Sequence, residues 1–225
     1  QVTALQSVGE CCYNLRFVID RENFLHAIVR VSGIVERRSV LPVLSSVKIK
    51  ASDGKISLST TDMDISILSS IDAEVLLPGE VSVSAHVLHD IIKKLPSGLS
   101  VEIFCENTNK LQIVCDKSSF SIPIIESDWF QDIAETNNFD SEFEISSSIM
   151  IELLSKTKFA MSLEDTRSHL NGVHLSARGG VLDGVATDCN RLSYVNFSDI
   201  TNLPNFGITI PRKTVTEIYK LLNDN

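Results

Sequence analysis

The feature that most constrains this chain is that it repeats itself. Arg16-Phe17-Val18-Ile19 followed by Asp20 is matched 126 residues later by Glu142-Phe143-Glu144-Ile145 followed by Ser146. Leu44-Ser45-Ser46-Val47 is matched at the same spacing by Leu170-Asn171-Gly172-Val173, the turn pair Asp53-Gly54 by Gly179-Gly180, and Thr61-Asp62 by Thr187-Asp188. One more residue of slip aligns Val81-Ser82-Val83 with Ile208-Thr209-Ile210, and the segment 86–95 with 213–222. A chain built this way has to form one supersecondary unit twice.

Each copy is predicted to run strand, helix, several short strands, strand, helix. Asp20 and Ser146 stand where a strand would enter a helix, and side-chain oxygens there accept hydrogen bonds from the free amides of the first turn. Phe24, Ile28, Val31 and Val35 in one copy, and Ile149, Leu153 and Leu154 in the other, mark the buried helical face. Alternation in Val47-Lys48-Ile49-Lys50-Ala51 and Lys55-Ile56-Ser57-Leu58-Ser59, across a glycine-containing turn, marks half-buried strands. After Leu95-Pro96-Ser97-Gly98 the first copy adds strands at 100–105, 110–115 and 119–124, for which the second copy has no counterpart before Asn225. The sequence therefore reads as an α+β repeat protein whose second domain is incomplete, with helices packed on antiparallel sheet in each copy.

Composition narrows the function classes. The 225 residues are 43% hydrophobic, enough for two cores, and no stretch approaches the roughly 20 apolar residues of a membrane span. Residues 1–14 lack the basic start and apolar run of a signal peptide, which with five cysteines in no ligand spacing (Cys11, Cys12, Cys105, Cys115, Cys189) predicts a cytoplasmic protein with free thiols. A formal charge of −9 opposes nucleic-acid binding if spread evenly, but it is not. The predicted helical windows 20–38, 84–96, 146–165 and 212–224 hold eleven Lys or Arg against nine Asp or Glu, leaving nine against twenty elsewhere. The strongest basic groupings are Arg37-Arg38, Lys93-Lys94 and Arg212-Lys213.

Leu41-Pro42-Val43-Leu44, Thr61-Asp62-Met63-Asp64, Phe159-Ala160-Met161 with Arg167 and Leu170-Asn171-Gly172, Ala186-Thr187-Asp188 with Arg191-Leu192, and Ile210-Pro211-Arg212-Lys213 together resemble the beta sliding clamp family of bacterial DNA polymerase III. The resemblance runs from Leu15 to Asn225 and implies a first clamp domain over 15–135 and an incomplete second over 139–225, with 1–14 as a leader outside the match and a third domain absent. It further implies a homodimeric ring, helices lining the hole and sheets outside, that encircles double-stranded DNA and tethers the polymerase catalytic subunit and the clamp loader through short peptide motifs. On this reading Arg37, Arg38, Lys93, Lys94, Arg212 and Lys213 face DNA, and Arg167, Leu170, Thr187, Arg191 and Leu192 form the partner-peptide pocket. Leu170 and Leu192 are its apolar walls, and Arg191 gives its stem to packing and its guanidinium to a polar end of the peptide. Two departures bear on that pocket. Cys189-Asn190 stands where relatives usually have Gly-His, which alters the expected turn, and Ser168-His169 replaces aromatic residues.

Enzymatic readings have little to stand on. Cys189 beside Asp188 has no histidine partner by motif, His86 and His89 share a helix face without a third ligand, and Asp62 with Asp64 sits in a turn where backbone hydrogen bonding suffices. No catalytic residue, metal or cofactor is expected. The alternatives to a DNA-encircling clamp are a protein-interaction scaffold of the same fold, which the acidic total keeps open, and more distantly a small-molecule enzyme on a duplicated domain.

Overall fold

Asp20 ends the first strand and starts the first helix as expected, its carboxylate accepting from the amides of Glu22 and Asn23 at 3.0 Å each. The computed structural model describes residues 14–36, 41–106, 109–125, 143–164, 166–198, 200 and 202–223. The chain divides into two units, Gln1–Ile133 and Ala134–Asn225.

The first unit contains β1 (Asn14–Asp20), α1 (Arg21–Val31), β2 (Ser46–Ser52), β3 (Lys55–Thr61), β4 (Ser66–Asp72), β5 (Glu74–Leu77), β6 (Gly79–Ser84), α2 (Ala85–Lys94), β7 (Ser100–Glu106), β8 (Lys110–Cys115) and β9 (Ser118–Pro123). They form two antiparallel sheets, ordered β4-β3-β2-β6 and β5-β1-β7-β8-β9. Leu15, Phe17 and Ile19 of β1 alternate inward, and Phe17 meets Phe24 of α1 edge to face at 6.0 Å. Each fully buried ring stabilises the fold by about 1.5–3 kcal/mol.

The second unit contains α3 (Ser147–Thr157), β10 (Gly172–Arg178), β11 (Val181–Thr187), β12 (Leu192–Phe197), β13 (Phe206–Pro211) and α4 (Arg212–Asn223), with one antiparallel sheet ordered β12-β11-β10-β13. The repeat holds element by element. β2 and β10, β3 and β11, and α1 and α3 each begin 126 residues apart, while β6 and β13 are offset by 127. Cross-strand partners agree as well: Val47 faces Val83 in one sheet, and Val173 faces Ile210 in the other. α1 packs on β3 and β4 as α3 packs on β11 and β12, and the second helix of each unit lies on the other two strands. Asp53 and Gly54 take φ of 50° and 73°, and Gly179 and Gly180 of 59° and 80°, the left-handed pair that a two-residue hairpin turn requires.

Three expectations are corrected. The first helix ends at Val31, where the Ser32 hydroxyl donates to the Ile28 carbonyl and a 3-10 turn follows over Ser32–Ile34, so the helical window to residue 38 was too long. Phe143–Ile145 does not pair as a strand; Phe143 instead stacks on Phe206 at 4.8 Å, because no described strand of the second unit takes the part that β5 and β7 play beside β1. Ser146 precedes α3 but its hydroxyl pairs with Ser148 rather than with a helix amide. No helix among the described residues is long and apolar enough to cross a membrane.

Candidate docking site

Thr187-Asp188 closes β11 into a tight turn that reaches Leu192 at the start of β12. The Thr187 hydroxyl donates to the Arg191 carbonyl at 2.7 Å and its oxygen accepts from the Cys189 amide, while Asp188 Oδ1 accepts from the amides of Asn190 and Arg191 at 3.0 Å each. Those two amides, Asn190 first, together with the Arg191 guanidinium hold the Asp188 carboxyl below the usual aspartate range, against the opposing pull of burial. Arg191 is thereby positioned: its Nε lies 3.0 Å from Asp188 Oδ2, and its guanidinium lies 5.9 Å from the Phe159 ring centroid.

The turn through Cys189-Asn190 repeats one in the first unit. Thr61-Asp62-Met63-Asp64-Ile65 in the first unit makes the same four hydrogen bonds, and Met63 and Cys189 take φ of 78° and 73°. A side chain in that left-handed conformation costs roughly 1–2 kcal/mol, whereas glycine adopts it freely but loses about 0.5–1 kcal/mol more backbone entropy on folding. Cys189→Gly is therefore expected to stabilise the second unit by a net of about 0.5–1 kcal/mol. A chemical-denaturation midpoint equal to or below that of the parent would contradict the strained turn.

A second turn lies beside the first. Leu170 and Asn171 donate their amides to the Arg167 carbonyl, the Ser162 amide donates to the Leu170 carbonyl, and Arg167 Nη1 reaches Cys189 Sγ at 3.6 Å. Arg167, Thr187 and Arg191 are thus linked directly or through Cys189, and Leu170 is tied to Arg167 through the backbone. Leu170 is half-buried, whereas Leu192 is 66% exposed.

A concavity beside the first turn takes in Arg191 alone of the five predicted pocket residues. It is a groove of about 370 Å³ walled by Lys158, Phe159, Met161, Leu163, Arg212 and Tyr219 as well. Phe159 and Leu163 are 56% and 75% exposed, and Lys158 Nζ sits 3.3 Å from the Tyr219 ring centroid. Sequence reasoning noted Phe159-Ala160-Met161 as a motif without giving it a role. It missed Tyr219, whose spacing of seven from Arg212 places both on one stripe of α4.

The described basic residues of the predicted set fall at helix ends. Lys93 and Lys94 are exposed at the end of α2, where Arg21 caps the helix by donating to the carbonyls of Ile92 and Lys93 at 2.9 and 2.6 Å. Arg21 is a third cation at this end that the sequence pattern did not single out. Arg212 and Lys213 open α4, with Lys213 exposed. Arg37 and Arg38 lie outside the described residues. Cys105 and Cys115 are buried thiols, and among the described residues no three His, Cys, Asp or Glu side chains cluster as a metal site would need.

Residues 15–134 match the family described as DNA polymerase III beta subunit, N-terminal domain, and residues 144–225 match its central domain. Among curated proteins, the chain is 33% identical over 216 residues to the beta sliding clamp of Caulobacter vibrioides, covering 92% of this chain and 57% of that protein. It is 34% identical over 212 residues to the beta sliding clamp of Pseudomonas aeruginosa, covering 93% and 57%. Among solved structures, the C. crescentus beta sliding clamp superposes with a TM-score of 0.86 at 31% identity, over 94% of this chain and 57% of that one. The Bacillus subtilis DNA polymerase sliding clamp superposes at 0.87 with 29% identity, over 94% and 58%. The chain thus spans a little over half the length of these relatives.

Proposed function

The chain belongs to the DNA polymerase III beta-subunit family, and on that footing we propose that it forms part of a DNA sliding clamp, a processivity factor that performs no chemistry of its own. One observation carries the reading: two copies of one fold, 126 residues apart, align in order with the family's N-terminal and central domains. In this proposal residues 15–135 are the first clamp domain, 139–225 belong to the second, and 1–14 precede both. The protein works in the cytoplasm as a homodimeric ring around duplex DNA. Its basic residues, Arg37, Arg38, Lys93, Lys94, Arg212 and Lys213, neutralise phosphate without reading sequence. Few and solvated contacts of this kind suit a mobile tether, because base-edge contacts would pin the ring at one site. Arg167, Leu170, Thr187, Arg191 and Leu192 receive short peptide motifs of the polymerase catalytic subunit and the clamp loader, which raises the local concentration of polymerase at the primer end.

The test is retention on DNA of different topology. The intact protein, loaded on nicked circular duplex by its loader, is expected to stay bound through gel filtration and to be released when the circle is linearised. Residual binding to linear duplex should weaken steeply with salt, as counterion release requires. Equal retention on circular and linear DNA would favour the interaction scaffold over the encircling ring.

A further inference from the structure

Arg21 opens α1, where a cation opposes the dipole of its own helix, whose amino end carries partial positive charge. The chemistry of α1 therefore does not account for it. Its half-buried side chain crosses instead to the far end of α2, where Nε and Nη2 donate to the carbonyls of Ile92 and Lys93. Its own amide donates to the Leu99 carbonyl at 3.0 Å, so the start of α1 is tied both to the end of α2 and to the segment that leaves it. Carbonyls at the carboxyl end of a helix lack intrahelical partners and carry partial negative charge. Lys93 and Lys94 stand at that same end, and left bare it would oppose any phosphate that approached them. We propose that Arg21 is a positioning residue for duplex DNA: it cancels the negative end of α2 and fixes that end to α1, so that Lys93 and Lys94 act on phosphate undiminished. The inference rests on the clamp reading, in which those two lysines face DNA.

The second unit supplies the comparison. At the offset of 127 that relates α2 to α4, Tyr219 takes the place of Ile92, and its carbonyl is also met by a side chain, the Asn223 amide at 2.6 Å. Ser147 stands where Arg21 does at the start of the other helix. The same carbonyl thus receives a guanidinium in one copy and a neutral amide in the other. The shared fold calls for a donor there, but not for a charge. What differs between the two helix ends is the lysine pair: Lys93-Lys94 corresponds to Lys220-Leu221, and Lys220 lies 3.9 Å from Glu217. The charged donor belongs to the copy whose helix ends in two lysines, as it should if its task is to clear the way for an anion.

The test titrates the intact protein into a fluorescein-labelled linear duplex at low ionic strength, read by anisotropy, with a melting curve for every variant. Arg21→Gln keeps a neutral donor of the kind used in the second unit and should weaken binding about fivefold, the effect of one charge at a helix end. Arg21→Lys returns the charge with poorer hydrogen-bond geometry and should bind within twofold of the parent. Lys55→Gln, which removes one charge from the exposed turn between β2 and β3, should also stay within twofold and so exclude a general effect of net charge. In the Lys93→Gln/Lys94→Gln background, Arg21→Gln should change affinity less than twofold, because a residue that acts through the lysines then has nothing to act through. The proposal is overturned if Arg21→Gln binds like the parent or does not fold, or if Arg21→Lys or Lys55→Gln binds as weakly as Arg21→Gln. It is equally overturned if the losses at Arg21 and at the lysines multiply, which would make Arg21 an independent phosphate contact. Should the lysine-pair variant itself bind like the parent, α2 does not face DNA and the premise fails with the proposal; should that variant weaken binding while Arg21→Gln does not, the proposal fails alone.

Discussion

Replacing Gly172 by alanine is expected to destabilise the second unit by about 3 kcal/mol, near the upper end of what overpacking costs, because the obstruction is backbone. A Cβ at this position would overlap the Ile210 carbonyl of β13, the strand paired with β10. A side chain in the way can rotate, but this carbonyl cannot move without shifting the ladder in which Gly172 faces Pro211 and Val173 faces Ile210. The Arg212 amide, which donates to the Asn171 carbonyl at 3.0 Å, would be displaced with it. Two other glycines separate space from conformation. At Gly184 the added carbon would come 2.7 Å from Leu153 Cδ2, a side chain able to yield in part, so Gly184→Ala should cost less. At Gly54 nothing lies within 4 Å, but φ is +73°, so the cost there is local strain of roughly 1–2 kcal/mol. Hydrogen exchange of β10 and β13 amides separates the two second-unit cases, with roughly hundredfold loss of protection expected for Gly172→Ala, and exchange of β2 and β3 amides reports on Gly54→Ala. Protection within twofold of the parent would mean that the close approach of β10 to β13 is not a constraint.

Leu192→Ala is expected to weaken binding of a polymerase docking peptide ten- to hundredfold while leaving the fold alone, given the clamp function proposed above. Leu192 begins β12 with 66% of its surface exposed, so its apolar area is available to a partner rather than committed to the core. Fully burying such a side chain in a complex contributes about 1.5–3 kcal/mol, which is that range of affinity. Truncation at an exposed position changes stability by no more than about 0.5 kcal/mol. Leu170 is half-buried, so Leu170→Ala should lower both affinity and the melting temperature. Isothermal titration with the peptide and a melting curve for each variant give the four numbers needed. Should Leu192→Ala bind as tightly as the parent, the peptide docks elsewhere. A melting temperature that falls as far for Leu192→Ala as for Leu170→Ala would instead contradict its placement at the surface.

What the sequence by itself determined was the duplication and its register. Hydrophobic periodicity and turn chemistry act over a few residues, and each copy repeats them, so β2, β3 and α1 and their partners begin 126 residues apart as the alignment of Asp53-Gly54 with Gly179-Gly180 implies. Asp20 could be read as a helix cap because its acceptors and donors are three residues apart or fewer. The same local pattern misled at Ser146, whose hydroxyl found Ser148 closer to hand, and at Phe143–Ile145, because a strand exists only when another strand supplies the opposite half of its hydrogen bonds. Tertiary structure alone decided which side chains share a surface. Arg167 and Cys189 are 22 positions apart, and Lys158 and Tyr219 are 61 apart, yet both pairs touch. It also decided that Leu192 is exposed while Leu170 is half-buried, and that Phe159 and Leu163 line a groove with α4. Local pattern sets what a segment can become, but a binding site is made where distant segments meet, and their meeting follows from how α3 and α4 pack across one sheet.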